Sequence, residues 1–181
     1  NKNYTLEIMV KQDILSLSKQ EIIGICEELG EKSFRAKQLY DWIWNKKVRS
    51  FDELTNMSKQ FRELLAESYY FKTLTISNIQ TSKDGTQKIV FHLGDGARIE
   101  GVLIPSRDRI TACISSQVGC GLACSFCATG TMGFTRNLSV GEITDQLFAI
   151  EKIALKDFSR SVTNVVYMGM GEPLQNYENV L

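Results

Sequence analysis

Four of the five cysteines lie within fifteen consecutive positions, in the stretch CISSQVGCGLACSFCATG at residues 113–130. Gly, Ser and Thr residues separate these cysteines, which predicts a loop rather than a core segment. The chain begins with NKNYTLEIMVKQ, which lacks the basic, apolar and cleavage regions of a signal peptide. We therefore expect a cytoplasmic protein, in which thiols stay reduced and a cysteine cluster indicates metal binding or catalysis.

The last three cysteines, Cys120, Cys124 and Cys127, have the spacing C-x3-C-x2-C. Three thiolates suit a 4Fe–4S cluster in which one iron keeps no protein ligand. Two alternatives stay open at this point. One is a zinc site completed by Cys113 or His92, although the sequence has no second short cysteine pair. The other is a set of inert, buried thiols.

Two further residues of reactive type lie outside this stretch. His92, the only histidine, falls in the alternating run KIVFHL, which predicts a half-buried strand position. Cys26 falls on a predicted helix beside Ile22 and Ile23, where we expect a packing role. General acid–base chemistry must therefore come mainly from carboxylates, thiols or a cofactor.

The first seventy or so residues are predicted to be helical. Ser18 and Glu21 form a capping-box pattern, and Gly30 is a typical helix stop. A second helix is predicted from Phe34 to about Lys47, and a third from Ser58. Their inward-facing stripes consist of Ala36, Leu39, Tyr40, Ile43 and Trp44 on the second helix and Phe61, Leu64 and Leu65 on the third.

The period then changes to that of strands. The runs LTISNIQ, QKIVFHL and ARIEGVLI predict a three-stranded antiparallel meander. A fourth strand, RITACIS, leads into the cysteine loop. Ser139 and Glu142 begin a further helix, and NVVYMGM is a strand that ends at GEP. Strand, loop, helix and strand form a βαβ unit, which predicts a parallel α/β sheet or barrel.

The overall charge is balanced, with 21 basic and 21 acidic residues, and no apolar run is long enough to span a bilayer. A nucleic-acid partner is therefore not indicated globally. A local basic face around the second predicted helix can meet phosphate, and Trp42, Arg136 and Asn137 are further candidate RNA contacts. The basic face consists of Lys32, Arg35, Lys37, Lys46, Lys47 and Arg49.

Two motifs together resemble the radical S-adenosylmethionine (SAM) superfamily. The cysteine spacing matches its C-x3-C-x-aromatic-C signature, with Phe126 at the aromatic position, and GMGEP at residues 169–173 is similar to its GGEP-like motif. The resemblance implies a 4Fe–4S cluster on the three cysteines. It also implies SAM bound at the open iron, with Phe126, Gly171 and Glu172 as cofactor-binding residues.

Other stretches, CISSQVGC, GFTRNLSVGEI, YMGMGEPLQN and KSFRAKQLYDWIWNKKVRSFDELTNMSK, resemble the RlmN/Cfr family of RNA adenine methyltransferases. The implied fold is α/β, the start of a radical SAM (βα)6 partial barrel with an antiparallel β extension, preceded by a small helical domain. The corresponding domains are a helical RNA-binding accessory domain at 1–73, a β-meander extension at 74–105 and the first part of the radical SAM core at 106–181. Val118 is more similar to the branch that methylates adenine C2, and C8 methylation is the alternative.

The resemblance also implies roles for two more residues. Cys113 matches the resolving cysteine, which forms a disulfide with a methyl-carrying cysteine to release the product, and Glu100 matches the proton acceptor. The implied partners are 23S rRNA and tRNA, as a dual-specificity enzyme, and an external electron donor such as flavodoxin. We expect a monomer that does not bind membranes.

No cysteine follows Cys127, and 54 residues remain after it, so we expect an N-terminal fragment that is inactive alone. Two further alternatives are kept open. They are a radical SAM enzyme acting on a substrate other than RNA and a zinc-stabilised nucleic-acid-binding module without catalysis.

Overall fold

The computed structural model describes residues 11–181, which fall into two compact units. The first unit ends at Lys72, and the second runs from Thr73 to Leu181. Each has a hydrophobic core of its own. The predicted accessory domain begins at residue 1, and its first ten residues lie outside the described part. No helix within residues 11–181 is long and apolar enough to cross a membrane.

The first unit is helical, and two short strands near its ends pair in parallel. Its helices are α1 (Lys19–Glu28), α2 (Ser33–Trp44) and α3 (Lys59–Ser68), and its strands are β1 (Gln12–Asp13) and β2 (Tyr69–Tyr70). The two strands pair in parallel, and two 3-10 turns, Ile14–Ser16 and Phe51–Glu53, connect the elements.

Side-chain caps start two of these helices where the sequence predicts. Ser18 accepts a hydrogen bond from the Glu21 amide, and the Glu21 carboxylate accepts the Ser18 amide at 2.7 Å, which confirms the capping box. Ser58 caps α3 in the same way through the Phe61 amide. Helix α2 ends at Trp44, earlier than predicted. Lys47 adopts a φ of +57°, which a continuing α-helix does not permit.

The core of the first unit contains the predicted apolar stripes. Ala36, Leu39 and Ile43 of α2 and Phe61 and Leu65 of α3 are buried, whereas Tyr40, Trp44 and Leu64 are only partly so. Cys26 is fully buried among them, which confirms its packing role. Burial raises the pKa of the Cys26 thiol to about 11, since the thiolate is disfavoured away from water.

The second unit is α/β, as predicted. Its strands are β3 (Thr75–Thr81), β4 (Gln87–His92), β5 (Arg98–Pro105), β6 (Ile110–Cys113), β7 (Gln117–Gly119), β8 (Phe134–Asn137) and β9 (Asn164–Val166), and its helices are α4 (Ala128–Thr131), α5 (Val140–Phe158) and α6 (Tyr177–Val180). Five strands form one sheet in the order β3-β4-β5-β6-β9, while β7 and β8 pair separately. A 3-10 turn, Pro173–Asn176, precedes α6.

The predicted βαβ unit is present. Strands β6 and β9 are parallel, and α5, which begins with the Ser139–Glu142 capping box, connects them. Strand β9 ends at Val166 rather than at Met170 as predicted. The next residues bond instead to the chain that follows β6: the Gly169 amide donates to the Ile114 carbonyl at 3.1 Å.

The two faces of the sheet differ in character. Gly101 lies on the face covered by α5, where a Cβ would come within 3.2 Å of Ile150. Because side chains alternate along a strand, Glu100 and Val102 point to the opposite face. Val102 is paired with Cys113, so the Cys113 side chain shares that face. His92, at the end of β4, is half-buried as predicted.

Candidate functional site

A two-stranded ladder holds the base of the cysteine loop. Strand β7 enters the loop and β8 leaves it, with Val118 opposite Arg136. The Cys120 amide extends the ladder by donating to the Gly133 carbonyl at 2.9 Å. The sequence predicts a loop over this whole stretch, because strands of three and four residues have no detectable period.

Gly119 is required where the loop closes. Its φ is +75°, and a Cβ added there would overlap the carbonyl oxygen of Gly133. The chain therefore crosses itself at backbone contact distance just before Cys120. This close approach determines where the cysteine loop begins.

The three predicted cluster cysteines occupy one compact turn region. Cys120 is buried, and Cys124 and Cys127 are half-buried. The Cys127 amide donates to the Cys124 carbonyl at 3.0 Å. Backbone amides of Gly130 and Thr129 donate to the Cys127 sulfur and lower its pKa, which favours the thiolate that iron binds.

The three loop cysteines are the kind of donor that iron–sulfur clusters use. They lie in a glycine-containing loop that is tightly folded, since a Cβ at Gly130 would meet the Cys124 backbone at 3.0 Å. Within residues 11–181, no three Cys, His, Asp or Glu side chains are gathered in a metal-holding arrangement. All five cysteines lie in this range, and none forms a disulfide.

Phe126, the aromatic residue of the cysteine motif, projects into solvent with 92% of its surface exposed. Leu122 and Met132 beside it in the sequence are also exposed. An exposed ring in a loop of this kind offers an apolar face to a bound group. Among the described residues, none buries the Phe126 ring.

The segment Ser115–Gln117 joins the cysteine loop to the GMGEP stretch. The Ser116 and Gln117 amides both donate to the Met170 carbonyl, at 2.9 and 3.2 Å. In return, the Met170 amide donates to the Ser115 hydroxyl at 2.8 Å, and the Glu172 amide donates to the Gln117 side-chain oxygen at 2.9 Å. The segment that leads into the cysteine loop is thus joined to a stretch far away in sequence by four hydrogen bonds.

Gly171 lies at the tightest point of this junction. Its φ is +96°, and a Cβ would come within 2.5 Å of the Gln117 Cβ. The next residue, Glu172, uses one carboxylate oxygen to accept the Leu174 amide at 3.0 Å, which starts the 3-10 turn. The carboxylate is thereby oriented at the strand-end edge of the sheet, where parallel α/β folds bind ligands.

Buried amide side chains support the junction, and the sequence analysis missed them. The Gln146 side chain of α5 accepts the Ser115 amide at 2.9 Å and donates to the Ser115 carbonyl at 3.1 Å. Asn176 donates to the carbonyls of Ser116 and Leu138. The available signal was a polar residue at a position that the helical period assigns to the core, because a buried polar side chain needs a hydrogen-bond partner.

Cys113 lies apart from the three loop cysteines, in strand β6. It is 6% exposed, and burial raises the pKa of its thiol, an effect partly opposed by a hydrogen bond from the Met168 amide. Glu100 occupies the same sheet face, half exposed, with an oxygen 3.2 Å from the Lys88 ammonium. The structure therefore places Cys113 in a strand rather than in the loop that carries the other three cysteines, on the sheet face that also carries Glu100.

Arg136, predicted as an RNA contact, is held by carboxylates of the second unit. Its guanidinium binds Glu142 through two hydrogen bonds of 2.8 Å and Asp95 through one of 2.7 Å. Glu142 is fully buried, and the hydrogen bond from Arg136 lowers the pKa of Asp95. The side chain connects the returning strand β8 to α5, so its charge is already neutralised within the protein.

The predicted basic face on α2 is partly occupied by contacts within the first unit. Lys46 lies over the Trp42 ring, 3.8 Å from its centroid, and that indole also packs against the core. Arg35 bonds Gln38 and the Asn56 carbonyl. Trp42 therefore has one ring face covered by a cation.

Comparisons with known proteins find a matching family model and similar sequences. Residues 12–70 match the family described as "Ribosomal RNA large subunit methyltransferase N-terminal domain". The chain is 52% identical over 171 residues to a probable dual-specificity RNA methyltransferase RlmN of Cytophaga hutchinsonii, covering 94% of this chain and 47% of the relative. It is 47% identical over 177 residues to the dual-specificity RNA methyltransferase RlmN of Desulfotalea psychrophila, covering 94% and 49%.

A solved structure is similar in three dimensions as well. The crystal structure of a radical SAM methyltransferase from Sphaerobacter thermophilus superposes with a TM-score of 0.83 at 40% identity, over 93% of this chain and 49% of that one. This similarity confirms the predicted partial radical SAM fold. The chain spans about half the length of the curated relatives it matches.

Proposed function

Since the chain belongs to the RlmN family of radical SAM methyltransferases, we propose that it serves in the dual-specificity methylation of adenine C2 in 23S rRNA and tRNA. The observation that supports this most directly is the junction at Ser115–Gln117, which joins the cysteine loop to Gly171 and Glu172. A structural zinc loop has no need of a second motif bonded to it in this way.

Cys120, Cys124 and Cys127 would hold a 4Fe–4S cluster, and Gly171, Glu172 and Phe126 would hold SAM. When bound, the two cofactors supply a carbon-centred radical that ordinary acid–base groups cannot generate. The chain's own residues prepare the site. Amides around Cys127 favour its thiolate, and the oriented Glu172 carboxylate provides acceptors for a cationic amine.

We assign to Cys113 the resolving thiol and to Glu100 the proton acceptor, in a route that passes through a methylcysteine. A resolving thiol must stay free of iron and must be held until its partner sulfur arrives. Burial keeps the Cys113 thiol protonated and shielded, and its hydrogen bond from Met168 fixes the sulfur. Glu100, on the same face, is half exposed and can accept a proton there. Val118 at the loop base supports the C2 branch over the C8 branch.

Anaerobic reconstitution of the 181-residue chain with iron and sulfide tests the cluster assignment. We expect a brown protein with about four iron atoms per chain and loss of that iron in Cys124→Ala. The matched control is Cys26→Ala, which removes a thiol from the first unit and should leave the iron content unchanged. A colourless protein that binds a single zinc ion would refute the proposal and favour the zinc module.

Thiol reactivity tests the separate role of Cys113. In the reduced, metal-free chain at neutral pH, iodoacetamide should modify Cys127 before Cys113, because hydrogen bonds lower the pKa of the former and burial raises that of the latter. Mass spectrometry of the labelled peptides against time gives the order. Cys113→Ala should also retain the iron of the wild type. Loss of iron in that variant would make Cys113 a fourth metal ligand instead.

A further inference from the structure

The first unit contains a cavity of about 470 Å³ that none of the motifs accounts for. The turn Phe51–Glu53, helix α3 and the chain around β2 line it, and it is open to solvent on one side. This volume is within the range of small-molecule sites. Its lining includes four basic side chains and two acidic ones, a net excess of positive charge, namely Lys11, Arg49, Lys59 and Arg62 against Asp52 and Glu63.

Two cationic groups of the cavity, those of Arg62 and Lys59, keep hydrogen-bonding capacity. Arg62 lies 3.8 Å from the Asp52 carboxylate and donates one hydrogen bond to the Asp52 carbonyl, while its buried Nε has no partner among the described residues. Lys59 pairs with Glu63 at 3.6 Å, and both side chains are more than half exposed. Such an exposed pair is weak, so an incoming anion can compete for the ammonium.

Aromatic rings form the other part of the wall. Phe51 and Phe71 pack together with ring centroids 4.9 Å apart, which makes a rigid apolar surface. Tyr70 is 40% exposed at the cavity, and Tyr69 adjoins it. Burial raises the pKa of Tyr69, so its phenol stays neutral and adds no negative charge to repel an anion. Cations beside aromatic faces are the features that bind unstacked nucleotides.

We propose that this cavity binds one unstacked nucleotide of the RNA, with its base against Tyr70 and its phosphate on Arg62. The inference rests on the proposed function, since an RNA substrate supplies such nucleotides. It places RNA recognition at residues other than the basic face of α2. An acidic peptide would use the cations but would gain nothing from the aromatic rings, and the experiment separates the two.

The test measures binding of a fluorescein-labelled RNA stem–loop to the 181-residue chain by fluorescence anisotropy at several salt concentrations. We expect Tyr70→Ala to weaken binding by about tenfold, from lost stacking, while Tyr70→Phe binds like the wild type. Arg62→Gln and Lys59→Gln should each lower the salt slope by about 0.7 for the lost phosphate contact. The Lys59 side chain is 83% exposed, so its substitution should not disturb the fold.

The charge-matched control is Lys83→Gln, which removes one exposed positive charge from the second unit and should leave affinity and salt slope unchanged. The proposal is overturned if the cavity variants bind RNA like this control, or if poly-glutamate displaces the RNA and Tyr70→Ala has no effect. Iron content measured on the same samples distinguishes failure of the cluster proposal from failure of the cavity proposal. Normal iron with unaltered RNA binding rejects only the cavity.

Discussion

Replacing Gly119 with alanine is expected to destabilise the second unit by about 3 kcal/mol or more and to abolish stable iron binding. Two costs add at this position. A residue with a Cβ pays about 1 kcal/mol or more to adopt a positive φ. The new methyl group would also overlap the Gly133 carbonyl oxygen, which belongs to the backbone and cannot rotate away. Thermal unfolding followed by circular dichroism, with iron analysis after anaerobic reconstitution, measures both effects.

Gly133→Ala is the matched control for this variant. Gly133 has a similar φ of +72°, but nothing lies within 4 Å of its Cβ position. It should cost only the conformational penalty, about 1 kcal/mol, and should keep the cluster. Equal losses of stability in Gly119→Ala and Gly133→Ala would contradict the close backbone contact between Gly119, at the end of β7, and Gly133, just before β8.

Replacing Arg136 with methionine is expected to cost about 3–5 kcal/mol, the range for removing one partner of a buried ion pair. Glu142 is fully buried and would lose two charged hydrogen bonds, while Asp95 would lose one. The double variant Arg136→Met with Glu142→Gln should recover part of this loss, because the uncompensated charge is then absent. Chemical denaturation of the single and double variants measures the difference.

The pH dependence adds a second readout for Arg136. In the wild type, the lowered pKa of Asp95 contributes stability above the pKa of that carboxyl in the unfolded chain, and this stability is lost as the pH falls through the folded value. Without Arg136 that contribution disappears, so the stability gap between the two proteins should be largest near neutral pH and should narrow in acid.

An exposed ion pair provides the control for that argument. Lys88 and Glu100 lie 3.2 Å apart with side chains 44% and 46% exposed. Lys88→Met should cost no more than about 1 kcal/mol, since water screens such a pair. A comparable loss in Lys88→Met and Arg136→Met would show that burial of Glu142 does not set the size of the effect.

Local interactions were predictable from the chain alone. The capping boxes at Ser18 and Ser139 depend on residues three positions apart, and the helices that follow them were correctly expected. Strand alternation in β4 and β5 correctly indicated the sheet. The cysteine spacing and the GMGEP stretch predict the candidate site, because both are short, contiguous patterns, and that assignment stays a prediction.

Tertiary structure decided how those patterns are joined. The bond between Ser115 and Met170 connects residues 55 positions apart, and that between Gln146 and Ser115 connects residues 31 apart. No local propensity encodes such partners. The sequence therefore predicts neither the end of β9 at Val166 nor the junction at Ser115–Gln117. The basic side chain of Arg136 likewise predicts an RNA contact, whereas the structure places two carboxylates on it, Glu142 six residues away and Asp95 41 residues away. Residue type determined the chemistry available to this protein, and long-range packing determined which groups remain free to use it.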